Sequence, residues 1–467
     1  MSAPATGIVS WGCHIARHRL PLAVLAGKAG GHGPARSLAW ADEDAITLAV
    51  DAARQALAGH AREDIGLLVF ASTTHAFEEK QGAALIAAVL GLSPATRTID
   101  VAHSLRGAVQ ALQLADEAVR AGSAGKALVI ASDCRMGAPG STLERAGGDG
   151  AVAFVLGSDN PVATIIAQAA HSEEIVDTWR RSGDRFVHGW EERFTSQYGF
   201  LEPSVAAAAR LPDAADGTRR LWATSAPDKR AAGNLARAVG AGRGDLLTPL
   251  FDTAGFCGVA HAPLLLAAAL EQAQAGDQLA LLAHGDGADA LLFAMRRKAT
   301  TTAFADSLAD GLPVSSQAAY RKARGLDAGE YPPLDDQGIS ATVHYRERAE
   351  DLRLQGQRCQ CGEAQFPKGR VCIRCGTKDA FAPEDFAEKH GRLVTYTLDA
   401  FFPAPNPPTA VGIVEVDGGP RIYLQLAELD GAEPQLGMEL RFVFRKIHDV
   451  GRRPNYFWKA VPAGRPA

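Results

Sequence analysis

An α/β fold with helices on both faces of its sheet, followed by a cysteine-clamped turn and a small β-barrel, is the architecture this sequence predicts. Three observations carry it. From residue 7 to about 300, continuously apolar runs such as IGLLVFAST (65–73), KALVIASDC (126–134), AVAFVLG (151–157) and QLALLAHGDG (278–287) alternate with Ala-rich stretches. Strands apolar on both faces belong to a sheet covered on both sides. Four of the seven cysteines crowd into residues 359–375. After them come short alternating strands separated by Gly, Pro and Asp turns, the pattern of a small barrel.

The composition narrows the partners. A chain of 467 residues exceeds one ordinary core and predicts two or three units, and 47% apolar with 22% charged residues is a globular balance. A net charge of -5 with scattered basic residues offers no stripe for nucleic acid. The opening MSAPATGIVSWGCHIARHRL lacks the apolar centre of a signal peptide, and no stretch approaches the roughly 20 apolar residues of a membrane span. Neither nucleic acid nor membrane is therefore an expected partner, and cytoplasm is the expected compartment. Seven cysteines in so long a chain do not make a disulfide scaffold.

Along the chain, helical spacing after an acidic start predicts a helix within Asp42–Ala58, and a second within Gly107–Ala121. TIDVAHSLRGAVQALQLADEAV has a counterpart in PLFDTAGFCGVAHAPLLLAAALEQA. Each reads as a short strand, a Gly-containing turn and an Ala/Leu-rich helix, which points to internal duplication. Residues from about 300 to 350 read as a connection with short helices and the turn YPPLDD (331–336). GRLVTYTLDAFF (391–402), TAVGIVEVDGGPRIYLQL (409–426) and GMELRFVFRKI (437–447) supply the barrel strands.

Cys359, Cys361, Cys372 and Cys375 form two close pairs, each followed directly by a glycine, Gly362 or Gly376, where a tight knuckle needs permissive backbone. Two thiolate pairs on neighbouring turns supply a tetrahedral zinc shell. With four thiolates the ion is structural, because no position stays open for water or substrate. The first pair is spaced Cys-x-Cys rather than Cys-x-x-Cys, so a ribbon that has lost its metal is the rival reading.

With this ribbon, the Phe366-Pro367 dipeptide and the barrel pattern, residues from about 310 to 467 resemble the zinc-ribbon/OB-fold companions of thiolase-like enzymes. In that family the module accompanies acyl-CoA enzymes. An OB-fold also serves single-stranded nucleic acid, but this tail lacks a concentrated basic and aromatic platform. Residues 7–297 resemble 3-hydroxy-3-methylglutaryl-CoA synthase and its relatives in the ketoacyl synthase III branch of the thiolase superfamily. The resemblance rests on GIVSWGCHIARHRL, FASTTHAFEEKQGAALIAAVLGL, VAHSLRGAVQAL, AGGDGAVAFVLG and GDQLALLAHGDGADALLF. It implies a duplicated five-layer thiolase-like fold, followed by a zinc ribbon and a small OB-fold β-barrel. It also implies a homodimer and coenzyme A as part of the substrate, and it leaves room for an additional enzyme subunit. The expected divisions are 1–300 for the thiolase-like module, 301–350 for a helical linker, 351–380 for the zinc ribbon and 381–467 for the OB-fold.

The machinery departs from the family pattern at four positions. In His103-Ser104-Leu105-Arg106-Gly107, Leu105 stands where the nucleophilic cysteine belongs at the start of the central helix. Thr73 falls at the synthase glutamate, Ser225 at its histidine and Phe256 at its asparagine. The remaining polar candidates are few. Ser104 is an alternative nucleophile that needs a base beside it. His75 is a candidate general base. His103 and Arg106 are candidates to hold an anionic substrate group, against the plainer reading of Arg106 as a salt bridge at the helix start. Cys257 is either a relocated thiolate paired with His261 one helical turn later, or a buried structural cysteine. Asp149 and Asp286 read as turn-shaping. Aldol or retro-aldol chemistry on a CoA thioester needs no covalent carrier and is the favoured expectation. Claisen-type acyl transfer and a non-catalytic CoA-binding or scaffolding role are its rivals.

Overall fold

The computed structural model describes residues 5–28, 33–327, 340–401, 407–429, 431–450 and 453–464. YPPLDD (331–336) lies outside them. The chain divides into two compact units, one of Met1–Trp40 with Asp44–Tyr320 and one of Ala41–Glu43 with Arg321–Ala467.

The first unit is built on nine strands: β1 (Gly7–Ile15), β2 (Ile65–Ser72), β3 (Arg97–Ala102), β4 (Lys126–Asp133), β5 (Gly150–Gly157), β6 (Ala163–Ser172), β7 (Arg220–Thr224), β8 (Gln278–His284) and β9 (Gly287–Met295). They run in the order β7-β8-β9-β6-β1-β5-β4-β2-β3. The first-half strands join the second-half strands only where Gly7 and Ile8 of β1 face Thr164 and Ala163 of β6. Two half-sheets therefore meet at a narrow seam.

Six helices cover and fill them: α1 (Ala45–Ala56), α2 (Gly82–Val89), α3 (Gly107–Arg120), α4 (Glu202–Ala208), α5 (Lys229–Ala238) and α6 (His261–Gln272). Within the predicted span, α1 begins at Ala45 because Asp44 caps it, accepting from the N–H groups of Ile46 and Thr47 while its own N–H reaches Thr47 Oγ1. This helix packs on β1, β5 and β4 and, with α2, forms one outer layer. In the middle, α3 touches β2, β4 and β3 on one side and β8 and β9 on the other, while α6 bridges β7 and β8 to β1 and β5. Every residue of α6 from His261 to Leu270 is buried, as its unbroken apolar run requires. On the far face α4 and α5 pack with Trp222, Ala280 and Leu292. The result is the five layers of a thiolase-like fold.

The second copy of the strand–turn–helix unit differs from expectation. Residues 249–254 form turns rather than a strand, because the N–H groups of Ala254 and Gly255 both fold back on Leu250 O. Strand character survives only as single bridges, Leu246 with Trp222 and Phe256 with Gly147. Residues 301–350 are shared between the units. The helix Ala303–Ala309 packs on β1 and α6, whereas α7 (Ala341–Arg353) belongs to the second unit.

In the second unit, β10 (Gln355–Cys359), β11 (Ala364–Gln365) and β12 (Phe381–Asp385) form a three-stranded ribbon with β10 in the centre. The barrel strands β13 (His390–Asp399), β14 (Thr409–Val416), β15 (Arg421–Gln425), β16 (Glu439–Val450) and β17 (Arg453–Pro462) run β15-β14-β13-β16-β17. Closure comes from the bridge between Leu426 and Ala460, with Ala427 N–H donating to Ala460 O at 3.0 Å. Val414, Phe442, Phe444 and Trp458 fill its interior. No helix among the described residues is long and apolar enough to cross a membrane.

Candidate active site and metal centre

Between β3 and α3 the chain turns through His103, an exposed residue in the left-handed region at φ 72°. That conformation costs a non-glycine residue roughly 1 kcal/mol and is kept where the surroundings demand it. Leu105 follows at the head of the helix, 7% exposed. Gly285, beyond the end of β8, approaches this turn so closely that a Cβ there would sit 2.9 Å from Leu105 N and 3.3 Å from Arg106 N. First-turn N–H groups have no partner within a helix, and the helix dipole adds positive potential at the same point. The approach of Gly285 to Leu105 thus marks a place that favours negative charge, with the Ser104 hydroxyl nearest to it and no thiol there. The Ser104 hydroxyl donates to Gly285 O at 3.1 Å, so it is engaged by a carbonyl rather than by a base.

Asp133, at the end of β4, organises the neighbouring loops. Its fully buried carboxylate accepts from Ser72 Oγ (3.1 Å), Thr73 N (2.7 Å), Thr73 Oγ1 (2.9 Å), Thr74 Oγ1 (3.0 Å) and Val259 N (2.8 Å). Thr73 is thereby a hydrogen-bond donor locked onto Asp133. The same carboxylate holds the turn that opens α6.

Ser225 Oγ lies 2.7 Å from Nδ1 of His284. His284 is 5% exposed and packs edge-on against Phe200. Burial, reinforced by the charge of Arg135, lowers its pKa to about 4, so the ring is neutral at physiological pH.

Cys257 and His261 come together, in the geometry of the buried structural alternative. The Cys257 N–H, not the thiol, donates to His261 Nδ1 at 3.3 Å, and the sulfur lies 3.7 Å from Gly255 O. Both side chains are fully buried. Burial, with the nearby Asp149 charge, pushes the Cys257 thiol up to about 12, and burial takes His261 down to about 3. A neutral thiol beside a neutral imidazole is not a thiolate–imidazolium pair. Phe251 and Phe256 enclose the His261 ring, at 5.5 and 4.8 Å between centroids.

Arg106 has its guanidinium engaged, as in the plainer of its two expected roles. It donates to Asp289 Oδ1 (3.2 Å), His171 O (3.3 Å) and Ser172 Oγ (3.3 Å), which is the salt bridge at the helix start. His75 sits with Nε2 3.5 Å from Val101 O and Nδ1 4.0 Å from Asp100 Oδ2, the carboxylate that caps α2 through Gly82 N and Ala83 N. Arg180 Nη2 donates to Thr73 O at 2.7 Å. Buried Asp177 has its pKa raised by burial and by Asp286, while the charges of both Asp133 and Asp177 act on Arg135.

The polar groups that sequence reading passed over are Asp133, Arg135, Asp177 and His284. A usable signal existed for two of them, since Asp133 and His284 end the apolar runs KALVIASD and QLALLAH, and ligand sites in α/β sheets gather at strand C-termini.

In the second unit, the four Sγ atoms of Cys359, Cys361, Cys372 and Cys375 lie within 4.8 Å of one another. Cys359–Cys375 and Cys361–Cys372 stand at 3.7 and 3.6 Å. A tetrahedron with Zn–S bonds of about 2.3 Å requires S···S of about 3.8 Å, so the residues fit zinc. The shorter knuckle closes by Gly362 N–H on Cys359 O (2.9 Å), the longer by Gly376 N–H on Cys372 O (3.0 Å), with φ of 91° and 74° at the two glycines. The Cys-x-Cys spacing therefore tightens its turn by one residue without moving its sulfurs out of reach.

Comparison with known proteins agrees with this description of both units. Residues 385–445 match the family described as the ChsH2 C-terminal OB-fold domain. Hydroxymethylglutaryl-CoA synthase of Methanosphaera stadtmanae is 30% identical over 303 residues, covering 61% of this chain and 86% of that protein. The synthase of Methanopyrus kandleri is 27% identical over 310 residues, covering 62% and 88%. Among solved structures, an HMG-CoA synthase complexed with CoA superposes with a TM-score of 0.61 at 21% identity, covering 72% of this chain and 93% of that one. The 3-oxoacyl-[acyl-carrier-protein] synthase III of Aquifex aeolicus gives 0.54 at 19%, covering 62% and 99%. Fold and site define a thiolase-like module fused to an OB-fold domain. The chain belongs to the hydroxymethylglutaryl-CoA synthase family.

Proposed function

We propose that this chain is an enzyme that makes or breaks a carbon–carbon bond beside a CoA thioester carbonyl by aldol or retro-aldol chemistry, with no acyl-enzyme. The observation that carries this reading is Leu105 at the head of α3, against Gly285, where the family's cysteine belongs. Leucine forms no thioester. The helix N–H groups that would stabilise a thioester oxyanion are retained, and an enolate places its charge on the same oxygen. In the cleavage direction, His284 takes the proton of the β-hydroxyl, the bond between the α and β carbons breaks, and its electron pair becomes the enolate. Protonation of the α carbon then gives a shorter acyl-CoA and a free aldehyde or ketone. Ser225 orients His284. His75, beside Asp100, serves as a second proton-transfer group. His103 stands exposed at the mouth of the turn. Ser104, Cys257 and His261 are framework in this scheme.

The cysteine ribbon is assigned a structural zinc ion. Homodimerisation, implied by the family resemblance, belongs to the same reading.

The test is intact-protein mass spectrometry after incubation with a panel of short and aromatic acyl-CoAs and β-hydroxyacyl-CoAs, with free products analysed in the same samples. Aldehyde or ketone release with no mass shift is the expected result. A stable acyl adduct that disappears in Cys257→Ala or Ser104→Ala would replace this reading with acyl transfer, and binding without turnover would leave a scaffolding role.

A further inference from the structure

The second unit carries a groove of about 520 Å³, and every residue that lines it belongs to that unit. One wall is a single face of α7, where His344, Glu347 and Asp351 recur at helical spacing. The other wall is formed by β15, β16 and β17 of the barrel, with Tyr423, Tyr456 and Phe457 supplying aromatic surface. The volume suits a small organic molecule.

The fixed charges of the groove have one sign. Glu347 and Asp351 both line it, and among the described lining residues there is no lysine or arginine. Burial, together with the charge of Glu347 one turn away, holds the Asp351 carboxyl above the usual carboxylate range. Asp351 has His344 Nδ1 at 3.2 Å, whereas Glu347 meets the largely exposed guanidinium of Arg346 at 3.7 Å. An exposed pair of that length neutralises little, so negative potential remains beside the aromatic surface. Phosphates and carboxylates are disfavoured there, which separates this groove from the oligonucleotide-binding faces of other small barrels. A carboxylate next to aromatic rings suits an ammonium group instead: the carboxylate pairs its charge, and the rings attract it while covering its apolar substituents.

We propose that this groove binds a small organic ammonium ion, a primary or quaternary amine bearing an apolar or aromatic group, with Glu347 and Asp351 supplying the counter-charge and Tyr423 and Phe457 the apolar surface. The site is independent of the chemistry assigned to the first unit.

Phenethylamine, phenylethanol and phenylpropanoate present one apolar group with a cation, a neutral hydroxyl and an anion at neutral pH. Isothermal titration of the full-length protein is expected to give about tenfold tighter binding of the amine than of the alcohol, with phenylpropanoate weaker than either. Glu347→Gln should shrink the amine-to-alcohol ratio about threefold and leave the alcohol unchanged. Tyr423→Ala, at a position 64% exposed, should weaken the amine by about the same factor. Neither side chain belongs to the core, so both variants keep the fold. Equal affinities for amine and alcohol, a preference for the anion, or no binding of the amine overturns the proposal, as does an amine affinity that neither variant changes.

Discussion

Ser225 Oγ and His284 Nδ1 lie 2.7 Å apart where the parallel strands β7 and β8 both end. The backbone N–H of His284 also donates to the same hydroxyl oxygen, at 2.9 Å. One serine hydroxyl at the end of β7 thus meets both the ring and the backbone of the histidine that ends β8.

If His284 is the base, His284→Ala lowers kcat/KM for β-hydroxyacyl-CoA cleavage by about 10²–10⁴-fold, the usual contribution of a positioned proton-transfer group. Ser225→Ala, which removes only the orienting bond, loses about tenfold. Product release followed by chromatography reads both. Activity of His284→Ala within a factor of two of the parent would assign the proton transfer elsewhere, with His75→Ala the next variant to measure.

The pH dependence has a definite sign. His284 and His261 have folded pKa values of about 4 and about 3, both below the roughly 6.5 of an unfolded chain. Below pH 6.5 the unfolded state therefore binds more protons, and stability falls as pH drops through the window from about 6.5 to 4, continuing to about 3 for His261. Thermal melts between pH 7.5 and 4.5 should show a falling Tm, and His261→Phe should flatten part of the slope. Because His284 stays neutral across the range, kcat/KM should be level from about pH 5.5 to 8, whereas an ordinary histidine base loses activity below 6.5.

Asp133→Ala strands donors from three consecutive residues of one loop and from Val259 of another. The loss is expected to be at least about 3 kcal/mol, since each buried unpaired donor costs about 1–3 kcal/mol. Asp133→Asn keeps one acceptor and should lose less. Urea unfolding with an unchanged m-value checks the ranking, and an Ala variant as stable as the parent would contradict the hub.

For the ribbon, elemental analysis should give one zinc per chain. Cys359→Ser or Cys372→Ser, which replace the two buried ligands, should abolish it. Chelation should lower the thermal stability of the second unit and leave that of the first unchanged. Full metal occupancy in both serine variants would show that the four sulfurs do not act as one site.

The layered fold was legible because buried strands such as β4 and β5 are apolar on both faces, and because Asp44 caps α1 beside an unmistakable helical pattern. The convergence of the four ribbon cysteines was legible from spacing alone. The active site was less so. Ser225 gave no sign of its partner, because His284 lies 59 residues later and becomes a neighbour only through strand pairing. Cys257 and His261 have suitable spacing for a reactive pair, yet burial decides their protonation, and burial of individual side chains is a tertiary property. Arg106 needed its partner Asp289, 183 residues away, before its charge could be counted.

Leu105 has one more consequence. Alkylating agents and epoxides that disable cysteine-dependent condensing enzymes find no sulfur at the head of α3, and Cys257 is sealed from solvent. Oxidants likewise find no sulfur at Leu105 to convert to a sulfenic acid, though Cys134, next to Asp133, is only partly buried. The exposed thiols sit in the ribbon, at Cys361 and Cys375. Electrophiles and oxidants would therefore meet the ribbon cysteines first, and the α3 turn offers them no thiol.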